Sequence, residues 1–244
     1  MKTACLTLIS FLVTVAAWAQ PTFAPGEDPA PEGRNWRSVP ELSDEFSGKA
    51  IDRTKWQTAP IGNDWGWRGR PPGLFLEDNI TVRKGELQVE VGVLDAPRVI
   101  ENDTFLYYGG IVRALHPGQP GWYYEARVKA NRTEMSTTFW LMSKYDCERK
   151  QELDIQECVG VVSPEKADWV KDWDQIFHGN AIHRKTSCVP ESTQKQGQLY
   201  LPTKNADEFY IYGCWWKSPE ELRFYLNGKY AYSINPSIGF VMPA

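Results

Sequence analysis

Residues 80–93 read Ile80-Thr81-Val82-Arg83-Lys84-Gly85-Glu86-Leu87-Gln88-Val89-Glu90-Val91-Gly92-Val93. Apolar side chains alternate with polar ones through Leu87, Val89 and Val91, the two-residue period of a strand with one buried face. Lys84-Gly85 interrupts the run where glycine tolerates a tight turn, so the stretch reads as two strands around a turn. The same texture recurs on working outward. Trp122–Ala130 (WYYEARVKA) sets Tyr124, Ala126 and Val128 against Glu125, Arg127 and Lys129. Phe209–Trp216 and Leu222–Leu226 form a further hairpin pair, followed by a turn at Asn227-Gly228. No helix-period segment exceeds about ten residues, and no repeat of 20–50 residues is present. Many short strands separated by turns predict an all-β sandwich or barrel. Ser163–Gln198 shows little alternation and reads as a long connection that runs over one face and carries function.

The N-terminus has a different texture. Met1-Lys2 precedes an apolar run from Ala4 to Ala17, and Ala17-Trp18-Ala19 offers a small-residue cleavage site. This pattern predicts a signal peptide over 1–19, with Gln20 opening the mature protein and a secreted, extracellular or periplasmic product. The run is too short to span a bilayer, and no later segment reaches that length. Residues 20–35 (QPTFAPGEDPAPEGRN) are rich in Pro and Gly and read as an extended, flexible leader. Residues 36–244 suit one sizeable β domain.

A net charge of −4 argues against nucleic acid as a partner. No membrane partner is expected, and a monomer is. Cys147, Cys158, Cys188 and Cys214 permit two disulfides in any of three connectivities, or a free buried Cys158 or Cys214. No CxxC pair occurs, and His116, His178 and His183 make no metal-ligand pattern, so neither a metal nor a cofactor is called. A structural calcium is not readable from sequence. Eleven Trp and eleven Tyr supply flat faces that stack on sugar rings, but also ordinary core material.

The segment Glu152-Leu153-Asp154-Ile155-Gln156-Glu157 carries the chemistry. In a regular strand 152, 154 and 156 share a face and 157 points away. One extra residue, a β-bulge, brings Glu157 onto the face of Glu152 and Asp154. A retaining glycosidase needs two carboxyl groups, one as nucleophile and one as acid and then base, about 5–5.5 Å apart. Three packed carboxylates cannot all stay ionised, so at least one pKa is expected to rise, which suits a proton donor. A solvated acidic face on an edge strand would give the same bare pattern. Leu153 and Ile155 on the opposite face favour a half-buried strand.

Further blocks specify the pattern. Leu42-Ser43-Asp44-Glu45-Phe46-Ser47-Gly48 leads through Asp52, Lys55 and Trp56; Gly121–Ala130 and Ser136–Leu141 (STTFWL) precede the acids. Phe209–Gly213, Trp216, Arg223-Phe224-Tyr225 and Asn227-Gly228-Lys229 follow them. In this order the blocks resemble glycoside hydrolase family 16 over most of the chain. The resemblance implies a jelly-roll β-sandwich of two antiparallel sheets, concanavalin-A-like, and a retaining mechanism. It makes Glu152 the nucleophile, Asp154 the assisting acid and Glu157 the general acid/base. The six-residue, bulged motif is the form shared by agarases, porphyranases, carrageenases and laminarinases. Family members continue past the equivalent of Phe240–Pro243, so residues 36–244 are expected to form a catalytic domain lacking its last strands.

Asp64-Trp65-Gly66-Trp67-Arg68-Gly69-Arg70-Pro71-Pro72 combines stacking planes with guanidinium donors. It could simply cover the core edge, but it resembles the W-x-G-R-x-P loop of family members that cut red-algal galactans. That likeness implies Trp67 stacking on a galactose unit and Arg70 bonding the sugar or its sulfate, with Arg68 beside it. Trp140 resembles a stacking residue of the cleft floor. Asn180–His183 looks like a substrate-side segment, in which His183 either bonds a sugar hydroxyl or is simply solvated. Porphyran-cutting members can carry Arg two residues after the position of Trp140; here it is Met142, whose thioether offers a sulfate no charge, although Arg68, Arg70 and Arg184 could still supply a sulfate site from elsewhere. The expected function is therefore endo-hydrolysis of β-1,4-galactosidic bonds in a red-algal galactan, with agarose narrowly ahead of porphyran. Alternatives are a laminarinase-type β-1,3-glucanase and a non-catalytic glycan-binding sandwich.

Overall fold

The computed structural model describes residues 20–62, 65–165 and 167–236. The signal peptide expected over 1–19 and the chain end around Phe240–Pro243 lie outside the described residues. Strands β1 (Ile80–Arg83) and β2 (Glu86–Val89) form the expected hairpin. Lys84 and Gly85 between them have φ of 56° and 75°, the left-handed pair that matches the twist of two strands joined by two residues. Next come β3 (Gly92–Ile100) and β4 (Asp103–Gly109), also a hairpin. They are followed by β5 (Tyr123–Val128), β6 (Ser136–Met142), β7 (Gln151–Val159) and β8 (Ile176–His183). The described chain closes with β9 (Thr193–Tyr200), β10 (Tyr210–Ser218), β11 (Glu221–Leu226) and β12 (Lys229–Ile234).

Two antiparallel sheets dominate. The front sheet has the order β6-β7-β8-β9 and the back sheet β5-β10-β11-β12. Asn227 and Gly228 turn β11 into β12 with φ of 48° and 75°. The inward faces meet in one core, in which Leu153, Ile155 and Phe177 from the front oppose Tyr212, Trp216, Leu222 and Phe224 from the back. Phe177 stands 5.1 Å from the Tyr212 ring and 6.0 Å from that of Phe224. Each such side chain removed from water contributes roughly 1.5–3 kcal/mol before entropy is counted. This packing fixes which face of the front sheet is left to look outward. Helix among the described residues is confined to two short 3-10 turns, Glu77–Asn79 and Asp168–Val170, so none is long enough to cross a membrane.

Two sequence expectations change. Ser163–Gln198 is not a long connection, because it contains β8 and most of β9. Strand β8 is buried from Ile176 through Ile182, on both faces, so its sequence has no reason to alternate. Strand β9 (TQKQGQLY) is largely exposed and polar, which hides it in the opposite way. The leader at 20–35 contains no strand, as its composition suggests, yet it is not loose. Phe23 lies 4.7 Å from the Tyr123 ring and 5.4 Å from that of Tyr225, on the outer face of the back sheet. Ala24 N donates to Gly228 O at 3.0 Å, and Thr22 N donates to the Glu125 carboxylate. The Pro-rich segment covers aromatic rings that would otherwise face water, and that burial holds it down.

Candidate active site

Strand β7 carries the acids at the centre of the front sheet. Its register against β6 runs Trp140↔Asp154 and then Phe139↔Gln156, which leaves Ile155 as the extra residue of a bulge. Leu153 and Ile155 are fully buried in the core. Gln156, displaced by the bulge, also turns inward: its Nε2 donates to Ile176 O and Asn205 Oδ1, both at 3.0 Å, and its Oε1 accepts from His178 N at 2.8 Å. With two consecutive side chains turned inward, Glu157 joins the face of Glu152 and Asp154. The amide of Asn180, opposite Asp154 on β8, ties two of the acids together. Its Nδ2 donates to Asp154 Oδ2 at 3.2 Å and to Glu157 Oε2 at 3.3 Å. The third acid has a different partner, since Arg184 donates to Glu152 Oε2 through Nε at 2.8 Å and Nη2 at 2.6 Å.

The environments separate the three carboxyl groups. Burial pushes Asp154 well above the usual carboxylate range, and the neighbouring charges of Glu152 and Glu157 push it further. Asn180 and Arg184 oppose that rise. Glu157 is raised as well, by burial first and the charge of Glu152 second, while Arg70 and Arg184 pull it back. A carboxyl group that keeps its proton at higher pH is suited to protonate a leaving oxygen. Glu152 differs from both in being paired with a guanidinium.

The aromatic loop lies over the β6 side of the acids. Trp67 stands edge-on to Trp140, with centroids 5.8 Å apart and planes at 79°, and edge-on to Phe75 at 5.1 Å. Two half-buried indoles at right angles offer a sugar both a floor and a wall. The loop is knit by its backbone: Trp67 N donates to Pro60 O, Phe75 N to Arg68 O and Gly73 N to Arg70 O. Gly69 has φ of 114°, and a Cβ there would overlap the carbonyl oxygen of Gly73, so only glycine fits. Arg70 is exposed and close enough for its charge to act on Glu157. Arg68 instead donates from Nη1 to Glu101 Oε1 at 3.0 Å, across to the β3–β4 turn.

His183 is the site residue that the structure moves. It pairs with Gln151 across β7 and β8, and cross-strand partners share a face. That face is the one of Leu153 and Ala181, which lie in the core, so His183 points away from the acids. The outward face of β8 is occupied by Asn180, and Arg184 follows just beyond the strand. Sequence points to Asn180 as the start of the substrate-side segment and to Arg184 as a sulfate candidate, but only the register sets the two beside the acids. The cysteines resolve as one bridge, Cys147–Cys188, which joins the β6–β7 and β8–β9 loops, while Cys158 and Cys214 are buried thiols.

The family model described as Beta-porphyranase A-D, GH16 domain, matches residues 36–243. The chain is 40% identical to Beta-porphyranase B of Zobellia galactanivorans over 244 residues, 96% of this chain and 81% of that protein. It is 36% identical to Beta-porphyranase C of the same organism, covering 91% of this chain and 70% of that one. The crystal structure of porphyranase B from Zobellia galactanivorans superposes with a TM-score of 0.84 over 92% of this chain and 84% of that chain. The two-sheet architecture is therefore the jelly-roll sandwich that the sequence blocks imply. The family match, the 40% identity and the shared fold lead to one conclusion: this chain belongs to the GH16 domain family of β-porphyranases A–D and is a glycoside hydrolase acting on O-glycosyl bonds.

Proposed function

We propose that this chain is an endo-acting, retaining hydrolase of β-1,4-galactosidic bonds in a red-algal galactan, with porphyran as its preferred substrate. The observation that carries this reading is the bulge at Ile155, because it gathers Glu152, Asp154 and Glu157 on one outward face. Glu152 attacks the anomeric carbon, Glu157 protonates the departing oxygen and then deprotonates water, and Asp154 mediates between them. Trp67 and Trp140 receive galactose rings, and the exposed guanidinium of Arg70 receives a hydroxyl pair or a sulfate. The expectation of agarose rested on Met142, an uncharged side chain opposite Glu152 on β6. Relatives named β-porphyranases outweigh that single position. Sulfate recognition then falls to guanidinium groups elsewhere on the cleft, with Arg70 first among them. The chain is further proposed to act outside the cytoplasm, a reading supported by the N-terminal sequence pattern and by the Cys147–Cys188 bridge.

Incubation with porphyran, agarose, κ-carrageenan and laminarin, followed by sizing of products and NMR of the first-formed anomer, tests the proposal. Porphyran oligosaccharides released with β configuration are expected. Faster cleavage of agarose would return the preference to the neutral polymer, and cleavage of laminarin alone would move the enzyme to glucans. Binding of galactan without turnover would make it a lectin-like sandwich. Glu152→Gln is expected to retain binding and lose turnover by about three or more orders of magnitude.

A further inference from the structure

The ion pair between Arg184 and Glu152 is not a surface ornament. The Glu152 side chain is 16% exposed and that of Arg184 37%. Both directed bonds from the guanidinium end on the same oxygen, Oε2, at 2.8 and 2.6 Å. The other oxygen, Oε1, is not the one Arg184 holds. The guanidinium is itself supported from behind. Arg184 follows the last residue of β8, and its backbone N donates to Lys150 O at 2.8 Å, one residue before β7 begins. The Cys147–Cys188 bridge staples the two loops that flank this contact, and the Thr186 hydroxyl donates to Cys147 O across the same gap. Tyr145, from the β6–β7 loop, lies within electrostatic reach of both Glu152 and Arg184, and the Lys150 ammonium sits 4.6 Å from its ring. The cation is therefore fixed by the rim of the sandwich before any sugar arrives.

A nucleophilic carboxylate must present one oxygen in line with the anomeric carbon, and must later depart from it. A cation on the same oxygen would hinder attack, whereas a cation on the other oxygen sets the rotamer and stabilises the departing carboxylate. We propose that Arg184 is a positioning residue for Glu152, holding Oε2 so that Oε1 faces the anomeric carbon, an inference that rests on the retaining mechanism proposed above. In the first step an Oε1 electron pair forms the bond to C1, and the C1–O glycosidic bond breaks as the leaving oxygen takes the proton of Glu157. In the second, water oxygen bonds C1, its proton passes to Glu157, and the C1–Oε1 bond returns its pair to a carboxylate that Arg184 already faces. Arg184 makes no contact with the reacting atoms in this scheme.

The test compares Arg184→Ala and Arg184→Lys in the full chain. Losing a charge-assisted pair of bonds is expected to lower kcat on porphyran roughly 10- to 100-fold, with KM held within about twofold because substrate binding is untouched. Guanidinium chloride at sub-denaturing concentration should restore part of the activity of Arg184→Ala and none of Glu152→Gln. Lys keeps the charge but not the two parallel donors, so it should fall between wild type and Ala. Wild-type kcat in Arg184→Ala, or a loss confined to KM, overturns the inference. If the Ala variant does not fold, Arg184→Lys decides: a lower kcat at unchanged Tm supports the clamp, and a wild-type kcat removes it. The underlying reading fails separately, when wild type is inert on every galactan or Glu152→Gln stays active. Even then, carbon-13 spectra of labelled glutamate read the clamp directly. The Glu152 carboxyl resonance should move in Arg184→Ala, and an unmoved resonance rejects the proposal.

Discussion

Gln194 donates from Nε2 to Asn180 Oδ1 at 2.9 Å, and this bond decides which end of the Asn180 amide faces the acids. With the oxygen occupied, the nitrogen is turned toward Asp154 and Glu157. An exposed edge strand, β9, thereby orients a buried amide on β8, which in turn orients two carboxyl groups on β7. Asn180→Ala is expected to lower kcat roughly 10- to 100-fold, since two bonds to carboxyl groups disappear from a buried site. Gln194→Ala should cost less, about three- to tenfold, because the Asn180 amide keeps its donors but loses its fixed orientation. Steady-state kinetics on one polysaccharide batch checks the ranking, which reverses if Gln194 meets substrate directly.

On the proposed mechanism Glu157 is the proton donor and is expected to set the alkaline side of the pH profile. Its pKa is raised by burial and by Glu152, and Arg70 and Arg184 restrain the rise. Removing the positive charge in Arg70→Gln should let it rise further, so the alkaline limb of kcat/KM moves to higher pH. An alkaline limb that stays put, or moves down, would show that Glu157 is not the proton donor. Glu157→Gln should slow poor leaving groups far more than activated aryl glycosides, which need no protonation.

Asp154 should make the fold less stable at neutral pH than it could be. Its folded-state pKa lies above the unfolded value, so the folded protein holds a proton that the unfolded chain releases between the two. Stability is therefore full below the unfolded pKa, about 3.9, and declines as pH rises through the folded one. Asp154→Asn keeps the shape, loses the charge and escapes the decline. Thermal melts are expected to give the variant a higher Tm than wild type at pH 7, with the gap closing toward pH 4, while activity falls steeply. A lower Tm at pH 7 would mean that the ionised form is better supported than its burial suggests.

Arg70 tests the sulfate. On porphyran, Arg70→Lys should weaken binding by roughly 1.5–3 kcal/mol, the range for a charged hydrogen bond. The wild-type affinity should fall as salt is raised, because the guanidinium is exposed. On neutral agarose the same change should be milder and nearly insensitive to salt. Calorimetric titration of Glu152→Gln with both oligosaccharides separates the two cases.

The fold was legible wherever one face of a strand met water. Leu87 and Val89, the Lys84-Gly85 turn and the Asn227-Gly228 turn announced their hairpins because alternation and left-handed backbone leave residue-level marks. The acids were legible for a related reason: Glu152 and Glu157 are an odd number of residues apart, so only a bulge lets them share a face. Strand β8 left no such mark, since Phe177, Gly179 and Ala181 face the core while His178, Asn180 and Ile182 are also covered. Without its register, nothing in the sequence shows which residue of Asn180–His183 faces the acids; the register gives that place to Asn180 and turns His183 to the other face. The sequence offers Arg184 only as a sulfate candidate; its pairing with Glu152 was hidden because the partner is 32 residues away in the chain.

The leader on the back sheet has a practical consequence. Phe23 is seated against Tyr123 and Tyr225, and the backbone of Ala24 is bonded to the β11–β12 turn. On cleavage after Ala19, as the sequence predicts, the new end at Gln20 lies two residues from Thr22, which is bonded to the back sheet on the side turned away from the cleft. A linker attached there would leave from the rear. Enzyme coupled to a bead or a carrier through that end should present its groove outward and digest an insoluble gel as readily as a dissolved polymer. A linker that replaced residues 20–30 would instead strip the aromatic cover from the back sheet and expose a sticky surface to its neighbours.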